Sequence, residues 1–181
     1  RRYAFVTCSR SAEVWILALP THAATVVPNA TGPGGQTVFG AGATYAYVTN
    51  SLYSRVTVIE TATGKKVAMI PVGEAPTTIG ISPDGSRAYV PSERSSTVAA
   101  LNLSLNVVAE ELPVGVRPYT VEISPDGKYL LVSSADSNTV TLIETATQKP
   151  LRRIPVGDDP HHVVFGPGGA FAYVINRGSD N

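Results

Sequence analysis

The sequence predicts an all-β protein, a β-propeller built from four-stranded antiparallel blades. Three observations carry this expectation. A pattern repeats every 42 residues along the whole 181-residue chain, each repeat has room for four short strands, and no stretch sustains a helical period. A solenoid with shorter coils fits the hairpin-rich repeat less well. A sandwich would not keep so fixed a period.

The period is carried by three motifs. Ile70-Pro71-Val72-Gly73 recurs as Leu112-Pro113-Val114-Gly115 and as Ile154-Pro155-Val156-Gly157. Ser82-Pro83-Asp84-Gly85 recurs as Ser124-Pro125-Asp126-Gly127 and, more loosely, as Gly166-Pro167-Gly168-Gly169. Ala46-Tyr47-Val48 maps onto Ala88-Tyr89-Val90, Leu130-Leu131-Val132 and Ala172-Tyr173-Val174, and backwards onto Ala4-Phe5-Val6.

Within the unit that starts at Gly73, a first strand is expected over 76–81. Pro-Asp-Gly then turns the chain, because Gly tolerates positive φ and Asp bonds its own backbone. The second strand is expected over 87–91, a polar loop over 92–96, the third strand over 97–103 and the fourth over 107–112. β-Branched content and period-two patches support strands throughout.

The repeat divides the chain into a partial blade at 1–30 (strands two to four), blades at 31–72, 73–114 and 115–156, and a partial blade at 157–181 (strands one and two). The length is four periods with 13 residues over. The expectation is an incomplete ring, a segment of a larger propeller. Chains completing one another's partial blades, as a homo-oligomer, is the second reading, and a closed four-bladed monomer the third. The chain begins Arg1-Arg2-Tyr3, with no initiator Met and no signal-peptide pattern, so it reads as a processed product or a piece of something larger.

Composition excludes several classes. Lys+Arg 14 against Asp+Glu 14 gives zero formal charge, so no nucleic-acid or anionic-membrane surface is indicated. No apolar run reaches the roughly 20 residues of a membrane span. The single cysteine, Cys8, rules out an internal disulfide and a Cys-rich zinc site. No metal or cofactor signature is present.

The repeated Pro-Val-Gly, Ser-Pro-Asp-Gly and Tyr-Val-Thr-Asn elements resemble the YVTN family of β-propeller repeats; Tyr47-Val48-Thr49-Asn50 is a literal copy of its tetrapeptide. The other copies are Tyr89-Val90-Pro91-Ser92, Leu131-Val132-Ser133-Ser134 and Tyr173-Val174-Ile175-Asn176. The resemblance implies a ring of about seven blades and a periplasmic, secreted or surface-layer location.

Propeller sites form where the loops before the innermost strands converge. Here those loops follow each Pro-Val-Gly: 74–78, 116–120 and 158–162. Arg117, Tyr119, His161 and His162 are the candidate ligand-binding residues at this mouth. Thr78, Thr120 and His162 should be equivalent, as should Thr77, Tyr119 and His161. Adjacent histidines on a strand face opposite ways. The pair is therefore expected to split, one ring between blades and one bonded to a neighbouring loop, with no shared metal. Asp84 and Asp126 read as hairpin formers, Asp158-Asp159 as a solvated turn, and Tyr47, Tyr89 and Tyr173 as blade packing. Trp15 reads as packing or an exposed contact, Cys8 as an inert thiol and Gly32-Pro33-Gly34-Gly35 as an inter-blade turn.

The functional expectation is a non-catalytic propeller that presents variable polar loops, at 51–55, 92–96 and 133–138, to a protein or small ligand, with no catalytic residues. Two alternatives stand beside it. Pro160-His161-His162-Val163-Val164-Phe165, followed by Ala172-Tyr173-Val174-Ile175-Asn176, resembles the seven-bladed lactonase family. Its pattern has Arg-His after the Pro and Glu after the Asn. His162 matches that His, whereas His161 stands for the Arg and Arg177 for the Glu. The second alternative is a periplasmic redox accessory propeller, since Pro-His-His also resembles propellers of haem and quinone systems.

Overall fold

A computed structural model describes residues 3–8, 10–33 and 35–179. Among the described residues the chain is all-β, with five antiparallel sheets. The first has three strands, β1 (Tyr3–Cys8), β2 (Glu13–Ala18) and β3 (Ala23–Val27). Three four-stranded sheets follow. They are β4 (Thr37–Phe39) to β7 (Lys66–Pro71), through β5 (Tyr45–Asn50) and β6 (Arg55–Glu60); β8 (Gly80–Ile81) to β11 (Val107–Pro113), through β9 (Arg87–Ser92) and β10 (Thr97–Asn102); and β12 (Pro118–Ile123) to β15 (Lys149–Pro155), through β13 (Tyr129–Ser134) and β14 (Thr139–Glu144). The last sheet pairs β16 (Pro160–Phe165) with β17 (Ala172–Asn176). Every sheet is a meander in chain order, the arrangement of propeller blades.

The sheets stack face to face in sequence. The middle strands of each full blade are buried on both faces, with small polar residues such as Thr49, Thr57 and Ser92 buried among the apolar ones. Ala88, Val90, Ala99 and Leu101 face back onto Tyr47, Val56 and Val58 of the preceding sheet. Between them on the same strands, Tyr89, Val98 and Ala100 face forward onto Val121, Leu130 and Val132. The fourth strands, β11 and β15, are mostly exposed and form the outer edges. Tyr47 and Tyr89 are buried between blades, and Gln148 Nε2 donates to the Tyr89 hydroxyl at 2.9 Å. Tyr173, in the equivalent place on the last sheet, is 64% exposed.

Two of the repeated motifs have visible physical causes. In Ser82-Pro83-Asp84-Gly85, Gly85 adopts φ +71° and closes the turn through its N–H to the Ser82 carbonyl at 2.8 Å. The Ser82 hydroxyl and the Ser86 N–H and hydroxyl donate to the Asp84 carboxylate and hold its pKa at about 2. In Pro-Val-Gly the glycine is required by close approach: a Cβ at Gly73 would lie 2.7 Å from Ser92 Cβ, and one at Gly115 2.6 Å from Ser134 Cβ.

The first strand of the third sheet is shorter than expected, Gly80–Ile81 instead of 76–81. Pro76 has no N–H and makes only an isolated bridge to Ser92. Thr77 keeps one bond, its N–H to the Pro91 carbonyl at 3.1 Å, while the hydroxyls of Thr77 and Thr78 turn to the next blade. None of the described helical segments is long and apolar enough to cross a membrane.

Gly115→Ala is expected to destabilise the protein by about 1–3 kcal/mol, because the Cβ must displace the end of β13. A denaturant midpoint unchanged from wild type would contradict this account of the motif.

Candidate functional site

The innermost strands of the second to fifth sheets lie side by side and form a concave cleft of about 380 Å³. Gln36, Thr78, Thr120 and His162, each 42 residues from the next, all line it. Each of the first three also touches the following blade. Gln36 Oε1 accepts the Ile79 N–H at 2.9 Å, Thr78 Oγ1 accepts the Val121 N–H at 3.4 Å, and Thr120 Oγ1 lies 3.4 Å from His162 Nδ1. A second set of bonds runs in the same direction. Thr49 Oγ1 donates to the Thr77 carbonyl at 2.7 Å, Thr77 Oγ1 to the Tyr119 carbonyl at 2.6 Å, and Thr120 Oγ1 to the His161 carbonyl at 2.8 Å.

The two histidines are separated as expected, but a bulge modifies the alternation. The β16–β17 register shifts between Pro160 and His162, and β12–β13 shifts likewise between Pro118 and Val121. His161 stacks against Tyr119, ring centroids 3.8 Å apart, while His162 reaches the cleft. Tyr119 and His161 are repeat equivalents, so the stack joins one blade to the next.

Arg117 and Asp159 are also repeat equivalents, both at positive φ, and they pair across the blades at 3.0 Å. Arg117 Nε further contacts Asp136 at 2.7 Å, and Arg177 Nε contacts Asp159 at 3.3 Å. Asp158 accepts from Asn138 Nδ2 at 2.8 Å and is tied into its loop. The four candidate residues thus fall into two groups: Arg117, Tyr119 and His161 build the mouth, and His162 lines the cleft below it. Burial pushes the His161 pKa below its ordinary value, Arg177, His162 and Arg117 add to the fall, and Asp159 opposes it.

Sequence reasoning missed Glu122. Its carboxylate is half-buried in the same cleft as His162. Burial raises its pKa, and the nearby His162 ring and the Phe165 N–H act against that rise. The signal was present in the repeat: the positions equivalent to Glu122 are Val38, Gly80 and Val164, so a lone carboxylate stands in an otherwise uncharged column. Other residues prove peripheral. Trp15 is part-exposed and donates to Glu13 at 3.2 Å; Cys8 is half-buried at the end of β1. Gly32 and Gly35 form a tight turn at 3.0 Å, and Gly34 lies outside the described residues. A second groove of about 330 Å³, lined by Asp84, Arg87, Asp126 and Thr145, sits at the hairpin turns, where both carboxylates are occupied by turn hydrogen bonds. No group of three or more potential metal ligands occurs among the described residues.

The sequence model of a family described as "Lactonase, 7-bladed beta-propeller" matches residues 16–153. The chain belongs to this family. No curated protein matches it significantly. Among solved structures, a "putative 6-phosphogluconolactonase" from Bacteroides uniformis superposes with a TM-score of 0.80 at 16% identity, covering 99% of this chain and 62% of that one. A functionally unknown protein from Desulfotomaculum acetoxidans gives 0.78 at 18% identity, covering 95% of this chain and 58% of that one. The dihydro-heme d1 dehydrogenase NirN gives 0.73 at 17% identity, covering 89% and 36%. At these identities the likenesses show the propeller fold, and the chain spans less than two thirds of each structure's length.

The lactonase match overturns the expectation of a non-catalytic binding or scaffold propeller. The regular repeats and the lack of a recognised catalytic set suggested that role. Both are compatible with an enzyme whose few polar groups are spread over several inner strands and converge only in the folded ring.

Asp159→Asn is expected to lower the His161 midpoint further, since the anion opposing the shift is lost. The sign follows from linkage: a histidine whose folded pKa is depressed contributes stability above its unfolded value and loses it as pH falls through the folded one. Imidazole NMR titration checks this, and an unchanged or raised midpoint would contradict it.

Proposed function

We propose that the chain forms part of the active face of a lactone hydrolase, a protein that opens a cyclic ester with water. The observation that supports this most is the lactonase family match across residues 16–153. Beyond that span, His162 corresponds to the histidine of the family pattern and lines the concave cleft. The cleft combines polar groups at one level, Gln36, Thr78, Thr120 and His162, with apolar walls at Val38, Ile79, Ile81 and Ile123. That mixture suits a small, weakly polar ring with one polarised carbonyl.

The departure at Arg177 bears on mechanism. Where the family pattern has a carboxylate, this chain has a cation whose Nε contacts Asp159. Arg177 therefore cannot act as a base toward water, and the proton-accepting role falls to other groups of the cleft.

The seven blades of the family exceed the five sheets described here. In this reading further blades complete the ring, contributed by the same polypeptide or by a partner chain. The YVTN-like repeat and a periplasmic or cell-surface location belong to the same proposal; they rest on the repeated tetrapeptide region alone.

His162→Ala is expected to lower kcat/KM for a simple δ-lactone by about 100-fold or more, the scale of a lost acid–base group. Turnover followed by proton release checks this. Full activity in the variant would remove His162 from the mechanism, and no lactone turnover by the wild type would sink the hydrolase reading.

A further inference from the structure

The family pattern places its carboxylate after the Asn of the second strand, and this chain has Arg177 there. A carboxylate nevertheless reaches the cleft from elsewhere. Glu122 projects from β12, the inner strand of the blade before His162, and both residues line the same cavity. β12 and β16 are neighbouring inner strands, latched by Thr120 Oγ1 to the His161 carbonyl at 2.8 Å.

That latch also bears on the tautomer of His162. A hydroxyl has one proton. Thr120 spends it on the His161 carbonyl, so at its 3.4 Å contact with His162 Nδ1 the hydroxyl oxygen is the acceptor. In the neutral form of the ring this contact favours the proton on Nδ1 and leaves the lone pair on Nε2. This is the tautomer that a general base needs: one nitrogen held by an acceptor, the other free to take a proton.

We propose that Thr120, His162 and Glu122 form one acid–base unit across two blades, with Glu122 as the positioning carboxylate of His162. The proposal rests on the lactonase reading and deepens it. His162 Nε2 withdraws a proton from water as the water oxygen bonds to the lactone carbonyl carbon. The resulting imidazolium is stabilised by the Glu122 carboxylate. The ring C–O bond then breaks, and the leaving oxygen takes that proton back from Nε2. Lactone and water become one hydroxy acid, and His162 returns to its starting state.

The other charged groups near this pair are accounted for. His162 adds to the fall in the His161 pKa, while Arg117, Asp159 and Arg177 are engaged with one another. Tyr119 is stacked on His161. Burial raises the Glu122 pKa and His162 lowers it, as expected for two groups coupled through the cleft.

The test uses Glu122→Gln, which keeps the shape and removes the charge, with two readouts. In δ-valerolactone hydrolysis, Glu122→Gln is expected to lower kcat by about tenfold or more with little change in KM, and to move the acid limb of the pH profile to lower pH. A merely structural residue would leave that limb in place. The second readout needs no activity. Carboxyl-carbon NMR should show Glu122 titrating above ordinary glutamates, and His162→Ala should move it higher still. Nitrogen NMR should show the His162 proton on Nδ1, with Thr120→Val altering that preference. An unchanged pH profile in active Glu122→Gln, a Glu122 titration indifferent to His162→Ala, or a proton on Nε2 would each overturn the proposal. If the wild type opens no lactone while the titrations couple as stated, hydrolysis fails and the coupled pair stands.

Discussion

The interaction on which the rest of this structure depends is the hydroxyl-to-carbonyl latch between neighbouring inner strands. Thr49 to Thr77, Thr77 to Tyr119 and Thr120 to His161 each join one blade to the next. Apolar stacking of sheets is non-directional and would tolerate sliding. These hydrogen bonds are directional, and they run to carbonyls of the first strands or the segments leading into them. They set the stagger at which one blade meets another. Repeat-equivalent residues therefore meet as neighbours: Arg117 with Asp159, Tyr119 with His161, Thr120 with His162.

The fold was legible because its causes are local and recur. Asp-Gly at positive φ, a glycine forced by close approach to a serine, and apolar pairs on middle strands each follow from a few adjacent residues. What depended on several residues at once was harder to read. The shortened β8 arises because Pro76, Thr77 and Thr78 turn their bonding capacity outward to the next blade. Period-two reasoning separated the two histidines correctly in kind, but a bulge decides where each ring goes.

The site was legible in part. Tyr119 stacks on His161, Arg117 pairs with Asp159 beside them, and His162 lines the concave face. The mouth, however, is held by ion pairs with exposed side chains, of the kind that contributes at most about 1 kcal/mol each. Glu122 and His162 line the concave cleft instead. Glu122 was overlooked because it belongs to no contiguous motif; it stands out only when the four repeats are compared column by column. It enters the His162 cleft from the preceding blade.

In the proposed hydrolase, the concave face of the inner strands is where a lactone binds. Backbone NMR of the protein titrated with δ-valerolactam, a ring that resembles the substrate and resists opening, tests it most directly. Shifts are expected to concentrate at Gln36, Thr78, Thr120, Glu122 and His162 and to saturate together. Shifts centred on the Asp84 and Asp126 turns, or none at the inner strands, would contradict it.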